Sequence, residues 1–235
     1  MSRLKAWIKR LLGIKQEDPS KAMVDRLRSM GMRIGERTTF FAPNSCVIDE
    51  SRPWLIEIGD DVQITYGVTM LTHGYDWAVL KGAYGEILGS SGKITIGNNV
   101  FIGMHTTILK GVTVGNNVII GAGSLVNKDI PDNCVAAGNP ARVIMSLEEY
   151  REKRKAAQLE EAKELVREYR AVYGKDPDAA ALSEFFWLFT QDPQKVTDPS
   201  WIKQMENLGN REFSEQVLSA HAAPFGDMQE FLDHC

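Results

Sequence analysis

Along residues 94–130 the apolar positions recur every sixth residue, a spacing that belongs to neither a helix nor an ordinary strand. In ITIGNNVFIGMHTTILKGVTVGNNVIIGAGSLVNKDI one series runs Ile96, Ile102, Ile108, Val114, Ile120, Val126. A second, four places on, runs Val100, Thr106, Val112, Val118, Ser124, Ile130. A helix repeats every 3.6 residues and a strand every 2, so this pattern is a true internal repeat and predicts a β-helix. Each six-residue unit is read as one short strand plus a corner, with the aliphatic side chain pointing inward. Gly97, Gly103, Gly115 and Gly121 follow the first series and suit a corner, because glycine tolerates a positive φ. Three units would close one coil of about eighteen residues, and stacked coils share a core that no single coil could bury. A prism filled with Ile and Val has no internal pocket, so a ligand site is expected on a loop or between subunits.

The repeat begins faintly at Ile34 and Phe40, lapses around Ser51-Arg52-Pro53-Trp54, and returns at Ile58, Ile64 and Met70 with Val62 and Val68 in the second series. The register then breaks at Thr72-His73-Gly74-Tyr75-Asp76-Trp77, which leaves residues 73–93 as a loop ejected from the prism. Long loops in a compact repeat are places where function concentrates. This one carries Tyr75, Trp77, Tyr84 and His73, and is read as half of an active site. After Ile130, Pro131 and Pro140 end the repeat, with Val135 to Ala137 able to add a last strand.

Outside the prism the periodicity is helical. Residues 2–12 form an amphipathic stretch with Leu4, Trp7, Ile8, Leu11 and Leu12 on one face. It is read either as a helix packing on the prism or a neighbouring subunit, or as a weak foothold on an anionic membrane. Asp18-Pro19 caps a helix over about residues 20–30, ended by Gly31. From Ser146 a long helix runs to Gly174, opened by a Ser146/Glu149 capping box. Further helices are predicted over about 178–190, 199–208 and 211–234. Their bland role is to cover the open end of the β-helix; Phe185, Phe186, Trp187 and Phe189 are either core or a partner-binding surface. Three parts result: N-terminal helices (1–33), the prism with its loop (34–145) and a C-terminal helical extension (146–235).

Composition narrows the function classes. The 235 residues are 43% hydrophobic and 25% charged, as in a soluble globular protein. A net charge of -4 argues against a general nucleic-acid binder, which works by phosphate neutralisation. Three cysteines at no metal-like spacing fit a reducing cytoplasm. No apolar run reaches the roughly 20 residues needed to cross a bilayer, and no secretory signal peptide is expected, since Lys9 and Arg10 interrupt the first apolar stretch. The location expected is cytoplasmic, with at most peripheral membrane contact.

With GNNVFIGMHTTILKGVTVGNNVIIGAGSLVNKDIPDNCVAAGNPARVI and the ejected loop in view, the chain resembles the hexapeptide-repeat acyltransferases over about residues 34–145. Within them it is most similar to the galactoside, maltose and nodulation acetyltransferases and the O-acetyltransferases of bacterial surface polysaccharides. The resemblance implies a mainly β protein with helical extensions: a left-handed parallel β-helix, short N-terminal helices and an α-helical C-terminal region. It further implies acetyl-CoA as acyl donor, a saccharide acceptor, no metal, and a homotrimer whose active sites lie between prisms.

The general base implied is His73. The galactoside branch places its histidine a residue or two further along, where this chain has Tyr75. His73 is preferred on chemical grounds, because an imidazole accepts a proton near neutral pH whereas a phenol, titrating at about 10, still carries its own. A backbone N–H at Gly103 or Met104 would stabilise the oxyanion. Phe101 stands where the family often has a tryptophan against the pantetheine arm, and Met104 replaces a serine. Ala122 matches a backbone contact to the pantetheine amide. Lys128 and Arg142 match cations that meet the cofactor's phosphates, with Asn127 beside Lys128 in place of a threonine. Asn44 and Glu50 resemble sugar-binding positions, and Tyr75 and Trp77 join them from the loop. His105 projects outward and is a secondary candidate for catalysis. A zinc hydrolyase of the γ carbonic anhydrase type would need three histidines in the prism, where only His73 and His105 occur. The other readings left open are N-acyl transfer to a nucleotide sugar and a non-catalytic trimeric scaffold.

Overall fold

The computed structural model describes residues 18–207 and 210–235. The amphipathic stretch 2–12 therefore lies outside the described residues. The chain divides into two compact units, residues 1–147 and 148–235.

The first unit is a left-handed parallel β-helix with three flat faces. The first sheet stacks β1 (Arg33–Ile34), β4 (Ile56–Ile58), β7 (Ile94–Ile96) and β10 (Thr113–Val114). In the second lie β2 (Thr39–Phe40), β5 (Gln63–Ile64), β8 (Val100–Ile102), β11 (Val118–Ile120) and β13 (Cys134–Ala137), closed by antiparallel β14 (Arg142–Ser146). The third holds β3 (Val47–Ile48), β6 (Thr69–Leu71), β9 (Thr107–Leu109) and β12 (Leu125–Val126). Both six-residue series point inward: Ile102, Ile108, Val114, Ile120 and Val126 are fully buried, as are Thr106 and, nearly so, Ser124. The faint repeats at Ile34 and Phe40 belong to a real first coil, completed by Ile48, and all three side chains are buried. Helix α1 (Pro19–Ser29) opens on Asp18, whose side chain accepts from the Ser20 N–H, and lays Met23, Val24 and Leu27 into the same core.

The repeat glycines serve a different purpose from the one expected. None of Gly97, Gly103, Gly115 and Gly121 has a positive φ. They are glycines because the next coil presses on them: a Cβ on Gly103 would lie 2.5 Å from the Ala122 nitrogen, and one on Gly97 2.7 Å from the Gly115 carbonyl oxygen. At the corner of Gly97 and Gly115 the left-handed residues are instead Asn99 and Asn117, followed by Asn133 one coil on, at φ 54, 55 and 55°; at the corner of Gly103 and Gly121 they are His105 and Gly123, at φ 57 and 71°. The asparagine side chains form a ladder, Asn99 Nδ2 donating to Asn117 Oδ1 at 2.8 Å and Asn117 Nδ2 to Asn133 Oδ1 at 2.9 Å. Asparagine tolerates this conformation, and stacking satisfies its amide.

The second unit has its own core. Helix α3 (Leu147–Tyr173) ends at Gly174, which adopts φ 65° and donates to the Arg170 carbonyl. Residues 178–190 are turns with one short 3₁₀ segment, Phe186–Leu188, rather than the expected helix. Phe186, Leu188 and Phe189 are all buried, and a helix would put positions 186 and 188 on different sides. Phe186 stacks on Trp201 with centroids 5.4 Å apart, and Phe189 on Phe231 at 5.3 Å, so this aromatic cluster is core. The last predicted helix is two, α5 (Arg211–Ala220) and α6 (Met228–Asp233), because Pro224 and Gly226 interrupt it. Between them and the 3₁₀ segment lies α4 (Pro199–Glu206), close to its expected span. Among the described residues no helix is long and apolar enough to cross a membrane.

Candidate active site

Two edges of the prism carry the residues singled out by the sequence. On the edge where the third sheet turns into the first, the coil departs from its register twice. Between β3 and β4 an insertion forms a 3₁₀ turn, Pro53–Leu55; one coil on, residues 73–93 leave the prism altogether. The stem of that loop is held by an antiparallel bridge between His73 and Ser91 and by the Gly92 N–H on the Thr72 carbonyl at 2.9 Å. The loop is not irregular throughout: it holds the eight-residue helix α2 (Trp77–Tyr84), ended by Gly85 at φ 73°. None of that helix is buried.

Stacking these departures on successive coils joins His73 to Asp49, a residue the sequence reading passed over. His73 Nδ1 lies 2.6 Å from Asp49 Oδ2. The same oxygen accepts from the Thr72 N–H at 3.1 Å and from the Thr72 hydroxyl, while Oδ1 accepts from the Ser51 N–H at 3.1 Å and the Ser51 hydroxyl at 2.6 Å. Burial pushes the Asp49 carboxyl up, but the hydrogen bonds from Ser51, Thr72 and His73 outweigh it and hold the group well below the ordinary carboxylate range. An ionised Asp49 only accepts, so Nδ1 carries the imidazole proton and Nε2 keeps its lone pair. The His73 side chain is 15% exposed, enough to present one edge. Tyr75 meets it edge-on with ring centroids 5.2 Å apart and Trp77 follows at 6.3 Å from Tyr75. Tyr75 is itself open to solvent. This arrangement can orient a general base and stabilise its protonated form.

Glu50, expected to bind sugar, faces elsewhere: both carboxylate oxygens bond Arg26 of α1, at 2.6 and 2.9 Å. Asn127 and Lys128 are exposed on the same edge two coils beyond His73, after β12.

The other edge, where the second sheet turns into the third, carries Phe101, Gly103, Met104, His105 and Ala122. Gly103 donates its N–H to the Ile120 carbonyl at 2.8 Å, which removes it as an oxyanion donor. The Met104 and Ala122 N–H groups, one above the other, have no acceptor among the described residues. Phe101, over a third exposed, stands outward on β8, in register with Ile119 of β11. Free N–H groups beside an aromatic face suit an amide-bearing, partly apolar chain such as pantetheine. His105 adopts φ 57° and meets Tyr66 edge-on at 5.2 Å; a Cβ on Gly67 would lie 2.5 Å from its Nδ1. Asn44 lies on this edge too, in the first coil. Arg142 opens β14 and donates to the Ala141 carbonyl at 2.7 Å. From Gly67 to Thr72 the third face spans about five residues at ~3.3 Å each, so within one prism His73 and the Met104 N–H sit roughly 15 Å apart or more.

Residues 93–128 match the family described as bacterial transferase hexapeptide (six repeats). The chain is 45% identical over 129 residues to protein CapG of Staphylococcus aureus, covering 55% of this chain and 74% of that one. With galactoside O-acetyltransferase of Escherichia coli (strain K12) it shares 43% identity over 120 residues, 51% of this chain and 57% of the other. Among solved structures, a galactoside acetyltransferase in complex with coenzyme A is 33% identical, with 57% of this chain and 74% of that one covered and a TM-score of 0.41. The chain belongs to the hexapeptide-repeat bacterial transferases. Within that family it is an acyltransferase.

Proposed function

We propose that the chain is an acetyl-CoA:saccharide O-acetyltransferase of surface polysaccharide biosynthesis, with His73 as general base. The observation that carries this is the Asp49–His73 pair, 2.6 Å apart, at the stem of the ejected loop. His73 Nε2 takes the proton of an acceptor hydroxyl while its oxygen attacks the thioester carbonyl. Charge developing on the carbonyl oxygen is received by the Met104 N–H, and the proton held on His73 passes to the departing thiolate. Phe101 and the Ala122 N–H would flank the pantetheine arm, with Lys128 and Arg142 toward its phosphates. The saccharide acceptor draws support from the name of the galactoside O-acetyltransferase, 43% identical over half of this chain.

Base and oxyanion donor lie on different edges of one prism, so the reaction needs a second copy to bring them together. A closed homotrimer, which the family resemblance implies, would do so three times. The exposed apolar side chains of the loop, Tyr75, Val79, Tyr84, Ile87 and Leu88, are suited to cover such a junction.

The test is release of free thiol from acetyl-CoA with a panel of saccharides. Release should depend on a saccharide and fall by about 10² to 10⁴ in His73→Ala at unchanged circular dichroism. Turnover within threefold of the parent in His73→Ala would reject His73 as the base.

A further inference from the structure

Asp18, Pro19 and Ser20 form one side of a cleft of about 510 Å³, and Phe40, Phe41, Pro43 and Tyr66 form most of the rest. Residues 1–17 therefore join the prism at the rim of this cleft, and the joint is pinned. The Asp18 side chain accepts from the Ser20 N–H at 2.9 Å, and the Ser20 hydroxyl accepts from the Phe40 N–H at 2.9 Å. Phe41 and Tyr66 are each about half exposed, an apolar surface with no cover among the described residues. Tyr66 is held where it is: its carbonyl accepts the His105 N–H at 2.9 Å and its ring meets the His105 ring edge-on. Asn44, also lining the cleft, has a side-chain amide with no partner among the described residues. Upstream, Leu4, Trp7, Ile8, Leu11 and Leu12 follow the i, i+3, i+4, i+7, i+8 spacing of one helical face, and Arg3, Lys5, Lys9 and Arg10 fall off it. As a helix, residues 2–12 would be about 17 Å long. The five residues 13–17 reach at most about 18 Å from Asp18. The apolar face is thus tethered beside the cleft, at an effective concentration on the order of millimolar.

We propose that this cleft is the docking site of the chain's own residues 2–12. The segment lays Trp7 and the aliphatic side chains around it against Phe41, Pro43 and Tyr66, as an amphipathic helix enters a groove. The Trp7 indole N–H donates to the Asn44 side-chain oxygen, and the four cations stay in water. An anionic membrane or a second copy could cover the same face, but only the cleft is tethered to it through five residues. Tyr66 stands one coil, ~4.8 Å, from Met104, so the docked segment borders that edge on its first-coil side. The docking does not depend on which acceptor the protein uses.

Hydrogen exchange on the full chain in lipid-free buffer tests this. Amides of residues 5–12 are expected to exchange at least about tenfold more slowly than in an unstructured peptide, and Phe41→Ser or Tyr66→Ser should return them to the free rate. Protection that both cleft variants leave unchanged would overturn the docking. So would free exchange in buffer with protection only on vesicles of phosphatidylglycerol and phosphatidylcholine, which would make the segment a membrane foothold. Deleting residues 2–12 gives a second reading that needs no cleft variant to fold: emission of anilinonaphthalene sulfonate should rise about twofold or more as the aromatic faces are uncovered. Emission equal to that of the parent would count against the proposal as firmly. Finally, with Ile8 replaced by p-benzoylphenylalanine, irradiation should give a cross-linked product of single-chain mass on a denaturing gel; a doubled mass would assign the segment to a second copy instead.

Discussion

Replacing Asp49 by asparagine tests whether the carboxylate serves His73 or only ties the first coil together. Five donors converge on it: Thr72 N–H and hydroxyl with His73 Nδ1 on one oxygen, Ser51 N–H and hydroxyl on the other. An asparagine accepts at one of these points only. The less costly orientation turns its NH₂ toward Ser51, where one fixed N–H is opposed, and keeps its oxygen toward Thr72 and His73. The Ser51 N–H then goes unsatisfied, at about 1–3 kcal/mol of stability. The His73 tautomer survives, but the hydrogen bond to it is no longer charge-assisted, and the imidazolium formed in the reaction loses its counter-ion. A hydrogen bond to a charged group is worth about 1.5–3 kcal/mol, which at 1.36 kcal/mol per decade lowers kcat/KM by about 10- to 150-fold. In a His73→Ala background the same change should cost little more, since its path to the chemistry runs through the imidazole. The assay is thiol release for the parent, both single variants and the double. Full activity in Asp49→Asn, or losses that simply multiply in the double variant, would refute the argument.

Four other outcomes follow from the same geometry. Asp49 is held below its unfolded value, so the stability it adds is present above about pH 4 and is lost as pH falls through the depressed value; the gap in melting temperature between parent and Asp49→Asn should close only below about pH 4. Gly103→Ala puts a Cβ 2.5 Å from the Ala122 nitrogen, so thermal melting should fall well below that of the parent although no special φ is involved. Ile120→Ala empties a fully buried site and should cost about 2–5 kcal/mol in a denaturant titration. Asn117→Ala breaks two ladder hydrogen bonds at φ 55° and should cost about 1–2 kcal/mol, with Asn117→Gly losing less.

What the sequence disclosed depends on how local the signal is. The hexapeptide series names almost every inward residue because each coil repeats the same constraint, and Ile102 or Val114 has no other role. The first coil was blurred because its corner holds seven residues, 49–55, and the series loses count. The period alone cannot tell a tight turn from close contact between coils: the turning falls to Asn99, Asn117 and Asn133 at one corner and to His105 and Gly123 at the next, while Gly97, Gly103, Gly115 and Gly121 answer to contact between coils. In the second unit, Phe186, Leu188 and Phe189 read as helix by composition but pack inward at spacings no helix allows. His73 was visible from chemistry. Asp49 was not, because its partners Thr72 and His73 lie 23 and 24 residues away in sequence, while its neighbour Glu50, the sugar-ligand candidate, spends both oxygens on Arg26.

Register explains why Asp49 is hard to read from the sequence. β3 pairs with β6 at Val47 with Thr69 and Ile48 with Met70, an offset of 22 residues. Continued past the strand ends, that offset sets Asp49 opposite Leu71, Glu50 opposite Thr72 and Ser51 opposite His73, so Asp49 reaches Thr72 and His73 diagonally, across adjacent coils of one edge. Each departure from the repeat, the 53–55 turn and the 73–93 loop, is innocuous alone. Stacked, they open two consecutive corners where regular coils above keep theirs closed, and a buried carboxylate can then reach across one coil to an imidazole. The repeat therefore sets the position of the chemistry by being broken twice on one edge, while the unbroken corners at Met104 and Ala122 keep their N–H groups aligned on another. A variant that restores regularity, deleting residues 53–54, should leave the prism folded by circular dichroism and lower thiol release toward the level of Asp49→Asn; unchanged release would mean that the dyad does not depend on the insertion.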